Sequence, residues 1–200
     1  MNPVRIIAVA LLAGSLSIGI AVLGERWLSA RDAIPAWMGQ RALLGEGAVR
    51  DPDGLLSGLP DLALPDLDGT VVSHRDWSGQ VVLIHYWATW CPGCLRELPR
   101  LAQVQREADT DRLQVIGIAI DDPAEVARFL ADNPVDYPIL IGGLDAIEQA
   151  RALGNRTDTL PFTVIFDARG HRIFNQQGEL SAARLQEQLA ALLEPRATNH

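Results

Sequence analysis

Cysteine is the residue whose scarcity says most about this chain of 200 residues, because only two are present. A framework of several disulfides and a site with four thiolate ligands are therefore both excluded. Lysine and arginine together number 17 against 25 aspartates and glutamates, so the formal net charge is −8. That balance argues against nucleic-acid binding, which depends on clustered basic side chains. Methionine is as rare as cysteine, and the chain has neither internal repeats nor low-complexity segments.

The two cysteines lie in one motif, W-C-P-G-C at residues 90–94. Residues 81–90 before it are rich in β-branched and aromatic side chains, as expected of a strand buried on both faces. Apolar residues after it recur at helical spacing. A C-x-x-C pair at a helix start is typical of reversible dithiol–disulfide chemistry, because residues three apart share one face at a distance that a disulfide tolerates. Two unreactive buried thiols are the structural alternative.

In this segment the chain closely resembles the thioredoxin superfamily, and in particular its extracytoplasmic TlpA/ResA/DsbE branch. The similarity is carried by Y-W-A-T-W-C-P-G-C at residues 86–94 and E-L-P at residues 97–99, and it covers about residues 59–195. The resemblance implies an α/β thioredoxin-like fold, with a central mixed sheet flanked by helices, and a redox disulfide between Cys91 and Cys94. We expect neither a cofactor nor a bound metal.

The order of apolar runs and turns predicts strands that alternate with helices. A hairpin is expected over residues 61–72 about the turn Asp68-Gly69. The remaining strands are predicted at 81–87, 113–120, 137–141, 162–167 and 171–175, and the helices at 92–108, 123–132, 145–153 and 181–193. This order indicates the thioredoxin fold with an N-terminal extension and an inserted βα segment.

Cys91 falls at the N-cap of the first long helix, with Pro92 at N1, where proline is tolerated best. A thiolate there faces the positive end of the helix dipole and unpaired N–H groups. We therefore expect Cys91 to be the nucleophile and the more buried Cys94 to resolve the mixed disulfide, as the resemblance also implies. Metal binding by the pair is the alternative. Because Gly93 and Cys94 both keep an N–H, we predict a potential tens of millivolts above the thioredoxin value of about −270 mV.

The resemblance assigns a partner-binding groove beside the cysteines. Pro161 matches the superfamily's cis-proline, and Leu160 would offer its backbone to an extended segment of a partner. An ordinary trans-proline at a strand start is the alternative. Trp90, next to the nucleophile, is assigned a supporting role. Phe162 departs from the pattern, because the cytochrome-maturation members often carry Glu or Thr there, and this weakens assignment to that substrate class.

Two titratable residues near the cysteines also match positions of the family. His85 corresponds to the buried acid of cytoplasmic thioredoxins, and its place in the strand directs it toward the active-site helix. A proton relay for Cys94 is the functional interpretation, since imidazole titrates near neutral pH, and a hydrogen-bonded core histidine is the alternative. Glu97 matches a glutamate that ResA-like proteins use near the buried thiol. A solvent-facing glutamate is the alternative.

The N-terminal region predicts the cellular location of the protein. Residues 6–24 carry no charge, and this length suits the hydrocarbon core of a bilayer better than the shorter apolar region of a signal peptide. We therefore predict an uncleaved signal anchor over residues 1–24, with a cleaved signal as the alternative. A linker is expected over residues 25–58, the thioredoxin-like domain over 59–195 and a tail over 196–200.

These features predict a membrane-anchored thiol–disulfide oxidoreductase whose catalytic domain lies in the periplasm or another extracytoplasmic space. We expect it to reduce disulfides of specific partner proteins, in cytochrome c maturation or related thiol homeostasis. By resemblance, its electrons would come from a membrane protein of the DsbD or CcdA kind. The alternatives are a disulfide oxidase or isomerase, and a copper-handling protein that uses the two cysteines with His85 or His171.

Overall fold

The structure, a computed structural model, describes residues 58–193. The predicted anchor (1–24), the tail (196–200) and all but the last residue of the predicted linker (25–58) lie outside this part of the chain. Among residues 58–193, no helix combines the length and apolar character that crossing a membrane requires.

The described part of the chain alternates between strands and helices. The strands are β1 (Ala63–Pro65), β2 (Val71–Ser73), β3 (Val81–Trp87), β4 (Leu113–Ala119), β5 (Ile139–Ile141), β6 (Phe162–Phe166) and β7 (Arg172–Gln177). The helices are α1 (Pro92–Glu107), α2 (Pro123–Asp132), α3 (Leu144–Ala152) and α4 (Ala182–Leu193), and a short 3₁₀ helix spans His74–Trp77.

Every predicted element is present, although several end elsewhere than predicted. The strand predicted from residue 137 begins only at Ile139, because Pro138 has no N–H to add to the ladder. Strand β7 extends to Gln177, where it still pairs with the first residue of β6. The 3₁₀ helix was not predicted. It begins after Ser73, whose hydroxyl accepts the Arg75 N–H.

The central sheet is five-stranded and mixed, with the order β5-β4-β3-β6-β7. Strands β3, β4 and β5 run parallel to one another, whereas β6 is antiparallel to β3 and β7 is antiparallel to β6. Strands β1 and β2 form a separate antiparallel pair. This topology confirms the predicted thioredoxin-like α/β fold.

The two faces of β3 pack against different helices, because successive side chains of a strand point to opposite sides. One face joins the core that contains α1 and α4 through Val81, Leu83 and Trp87. The other face joins the core that contains α3 through Val82, Ile84 and Tyr86. His85 shares the parity of the first set, so it faces α1, as predicted. The cysteines follow the carboxyl end of this same strand.

Candidate active site

Cys91 and Cys94 form a disulfide at the beginning of α1, which confirms the predicted pair. Cys91 is the N-cap residue and Pro92 the first residue of the helix. Of the two amides that the sequence offers to the Cys91 sulfur, the structure shows the Cys94 N–H donating at 3.2 Å. Cys91 is 5% exposed and Cys94 is 0% exposed. The first sulfur is therefore the one that a partner can reach.

A carboxylate from the neighbouring strand fixes the loop that leads into the cysteines. Asp121, just after β4, accepts hydrogen bonds from the Thr89 amide at 2.8 Å and the Thr89 hydroxyl at 2.5 Å. Burial acts to raise the pKa of Asp121, but the hydrogen bonds from Thr89 and from the Asp122 amide outweigh it and lower the pKa. Trp90, the next residue of the loop, is 66% exposed. Asp121 was not predicted from the sequence, although its place after a parallel strand, at the sheet end that carries the cysteines, was an available signal.

The second wall of the site is the segment before β6. The Leu160–Pro161 peptide bond is cis, as predicted. Pro161 packs so closely on the helix start that a Cβ placed on Gly93 would lie 3.3 Å from its Cδ. The Gly178 N–H donates to the Pro161 carbonyl at 2.8 Å and holds this segment from the other side. The structure thus brings the predicted groove residues and the redox pair together.

His85 of β3 and Glu97 of α1 meet between the strand and the helix that flank the cysteines. Their side chains are 0% and 4% exposed, and Nε2 of His85 lies 3.0 Å from Oε2 of Glu97. The geometry is not that of a directed hydrogen bond from the ring, so the contact is a close approach of two polar groups. The Leu180 N–H donates to the other oxygen of Glu97. The alternative of a solvent-facing Glu97 is therefore wrong.

Two arginines of α1 bind the segment before α4 that supplies the Leu180 N–H. Arg96 donates to Glu179 with Nη2–Oε2 at 2.6 Å, and Arg100 donates to the Leu180 carbonyl at 3.1 Å. The hydrogen bond from Arg96 is the main cause that lowers the pKa of Glu179. Helix α1 thus holds Leu180 both from its buried face and from its exposed face.

His171, which the copper-handling alternative invoked, lies far from the cysteines. It follows β6, whose last residue pairs with Val82 at the beginning of β3, whereas Cys91 follows the end of β3. The length of a seven-residue strand, about 20 Å, therefore separates the two ends. His171 instead lies 3.5 Å from Asp167. Within residues 58–193, no group of three or more His, Cys, Asp or Glu side chains is arranged to hold a metal ion.

Comparison with known proteins agrees with this geometry. The chain matches the AhpC/TSA family over residues 57–177, more than half of its length. It belongs to the AhpC/TSA family. The thiol-disulfide oxidoreductase ResA of Halalkalibacterium halodurans is 28% identical over 139 residues, which cover 68% of this chain and 76% of that protein. The thioredoxin-like protein YneN of Bacillus subtilis is 32% identical over 117 residues, which cover 56% of this chain and 64% of that protein, just under two thirds.

Solved structures place this AhpC/TSA family member in the same group. A Chlorobium tepidum protein assigned as the thiol:disulfide interchange protein DsbE aligns with a TM-score of 0.61 and 28% identity, covering 70% of this chain and 99% of that one. This member of the AhpC/TSA family is therefore a TlpA/ResA/DsbE-like protein, which confirms the resemblance seen in the sequence. The names of its relatives support a protein-disulfide reductase activity.

Proposed function

We propose that this protein is an extracytoplasmic thiol–disulfide oxidoreductase that reduces disulfides of specific partner proteins. The observation that carries the proposal is the Cys91–Cys94 disulfide at a helix N-terminus, packed beside Pro161. The names of its relatives support the same reaction.

The chemistry proceeds by two exchanges of thiolate for disulfide. In the reduced protein the Cys91 thiolate attacks one sulfur of the partner disulfide, and the other partner sulfur leaves as a thiolate. Cys94 then attacks the Cys91 sulfur, releases the second partner thiolate and closes the disulfide seen here. Two electrons pass to the partner. The Cys94 N–H, 3.2 Å from the Cys91 sulfur, stabilises negative charge on the nucleophile.

Cys94 must lose its proton before the second exchange, and it has no exposed surface through which water could accept it. Glu97 lies one helical turn later on the same face, since residues three apart are neighbours on a helix. His85 lies 3.0 Å beyond Glu97. We assign these two side chains to the removal and return of that proton.

The partner would dock in the groove between the cysteines and the Leu160–Pro161 segment. An extended partner segment can pair with the Leu160 backbone as an added strand, while the exposed indole of Trp90 supplies apolar contact. Phe162 packs against Tyr86 with ring centroids 5.7 Å apart, on the sheet face opposite α1. The departure from the family pattern at Phe162 therefore changes the core of that face and not the groove.

The cellular setting of the proposal rests on the uncharged run of residues 6–24. An anchor there would hold the catalytic domain at the outer surface of the membrane, where a membrane thiol-reducing protein of the DsbD or CcdA kind would return two electrons to it. Cytochrome c maturation is one process in that compartment that consumes reduced thiols. Sedimentation of the full chain with membranes is the expected result. A mature protein that is free in the soluble fraction, with its N-terminus near residue 30, would contradict the anchor.

Trapping tests the activity. In the full chain, Cys94→Ala leaves Cys91 without its resolving partner, so we expect mixed disulfides with partner proteins to accumulate and to be released by dithiothreitol. The matched control is the double variant that also carries Cys91→Ser, which should trap nothing. Equal adducts in both variants, or none in either, would count against the assignment. A mostly reduced Cys91–Cys94 pair in untreated cells would favour the reductase over the oxidase alternative.

A further inference from the structure

The loop between α3 and β6, residues 153–161, is held in one shape by a buried asparagine. Asn155 is 3% exposed. Its Oδ1 accepts the Thr159 N–H at 3.0 Å and its Nδ2 donates to the Thr159 carbonyl at 3.0 Å. One side-chain amide therefore satisfies both backbone groups of Thr159, as a neighbouring strand does for one residue of an antiparallel pair. Thr159 directly precedes Leu160 and Pro161 of the groove.

Two contacts on the surface support the same shape. Asp158 has a φ of 52°, a left-handed conformation that aspartate adopts more readily than most residues. The Arg151 guanidinium donates two hydrogen bonds, of 2.7 and 2.6 Å, to the two oxygens of the Asp158 carboxylate. The Thr157 hydroxyl also donates to Gln177 of the adjacent strand β7 at 2.6 Å. The loop is thus tied to α3 on one side and to β7 on the other.

We propose that Asn155 is a positioning residue for partner binding. Before the partner binds, Asn155 already holds the Thr159–Pro161 segment in the conformation with which the extended partner segment pairs. A partner that pairs with a preformed edge does not have to order that edge on binding, so its encounter complex is more stable. The Arg151–Asp158 pair contributes to the same effect from the surface. This inference rests on the proposed function, because it concerns the groove used by that reaction.

A positioning role for Asn155 differs from a purely structural role in one measurable respect. A structural role would affect reactions of Cys91 with all disulfides alike, or none of them. A positioning role affects only substrates that carry a backbone to pair with Leu160. The comparison therefore needs two disulfides with the same leaving group, one with a peptide backbone and one without.

The experiment uses the reduced full chain with Cys94→Ala, in which Cys91 is the only thiol. The small probe is 5,5′-dithiobis(2-nitrobenzoate). The second probe is a short extended peptide whose single cysteine is joined by a disulfide to 2-nitro-5-thiobenzoate. In both reactions the Cys91 thiolate forms a new disulfide and the coloured nitrothiobenzoate thiolate leaves, so one absorbance reports both rates. The measured quantity is the ratio of the peptide rate to the small-probe rate.

Asn155→Ala should lower this ratio about tenfold, which corresponds to ~1.4 kcal/mol, and should speed hydrogen exchange at the Thr159 amide. Asp158→Asn, which leaves the buried amide in place, should lower the ratio by about threefold, since exposed ion pairs contribute less. The matched control is Asn133→Ala. That exposed asparagine also donates its side-chain amide to a backbone carbonyl, of Phe129, but at the far end of α2, and its loss should leave the ratio unchanged.

An unchanged ratio in both Asn155→Ala and Asp158→Asn, or an equal slowing of both probes, would overturn the positioning role. If Asn155→Ala does not fold, the rate ratio of Asp158→Asn alone tests the positioning role, and an unchanged ratio in that variant overturns it. A parent protein whose Cys91 reacts with neither probe would instead refute the proposed function itself. The two failures are therefore distinguishable.

Discussion

The contact between His85 and Glu97 gives the sharpest test of how this site handles protons. Both side chains are almost fully buried, and their nearest polar atoms are 3.0 Å apart. The perturbation is a double-mutant cycle of His85→Ala, Glu97→Gln and the two together. Glu97→Gln keeps the size of the side chain and an oxygen that can still accept the Leu180 N–H, so it removes mainly the ionisable carboxyl group.

The size of the expected coupling free energy follows from the distance between the two side chains and from their burial. A protonated His85 and an ionised Glu97 with their nearest atoms 3.0 Å apart would attract each other by about 5.5 kcal/mol at an effective dielectric constant of about 20, and the loss of hydration would offset much of this. A charged pair therefore predicts a coupling free energy of about 1–3 kcal/mol in the stability of the oxidised protein. A neutral contact with poor alignment would contribute well below 1 kcal/mol.

Two measurements check the prediction. Urea unfolding of the four proteins at pH 7 gives the coupling free energy, and stopped-flow measurement of mixed-disulfide resolution gives the pH dependence of the Cys94 step. Each single variant should change that pH profile, and the double variant should resemble the singles. Gln105→Ala is the matched control: it removes another buried polar side chain of α1, which accepts the Val115 N–H at 2.7 Å, and should lower stability without changing the profile.

A coupling below about 0.5 kcal/mol, which is within the usual error of additivity, together with unchanged pH profiles would refute this reasoning. His85 and Glu97 would then be core residues that happen to be polar.

Three further predictions test other parts of the site. Cys91→Ser should abolish disulfide exchange with insulin while circular dichroism remains that of the folded protein; exchange near the wild-type rate would exclude Cys91 as the nucleophile. Gly93→Ala should slow exchange with peptide disulfides severalfold, because its Cβ would crowd Pro161 at 3.3 Å, and an unchanged rate would contradict a need for this close approach. Asp121→Asn tests the stability of the protein in acid. Because folding lowers the pKa of Asp121, its carboxylate stabilises the fold at any pH above the pKa of the unfolded state. This contribution is lost as the pH falls through the lower pKa of the folded state. Urea unfolding at pH 7 should therefore show the wild type to be more stable than Asp121→Asn by roughly 0.5–1 kcal/mol, a small difference because solvent screens this partly exposed group. An equal difference in stability at pH 2 would contradict the charge-based explanation.

The fold class, the redox pair and the cis-proline segment were predicted from the sequence, in large part through its resemblance to the thioredoxin superfamily. The motifs that carry this resemblance are local: a run of apolar residues with a C-x-x-C after it, and a proline at a strand start, each lie within a few positions. The periodicity of apolar residues also separated strands from helices, because it records which sides of each element are buried. The ends of the elements were predicted less closely, as the late beginning of β5 at Ile139 shows.

The contacts between side chains that are distant in the sequence became known from the three-dimensional fold. Glu97 could have faced solvent by its place in the helix, and its burial against His85 depends on how α1 sits on the sheet. Asp121 reaches Thr89 because β3 and β4 pair in parallel and end side by side. Asn155 acquires its role from a loop that folds back on itself within five residues. In each case the contact depends on strand register, helix docking or loop closure, and a one-dimensional pattern of residue types does not contain these quantities.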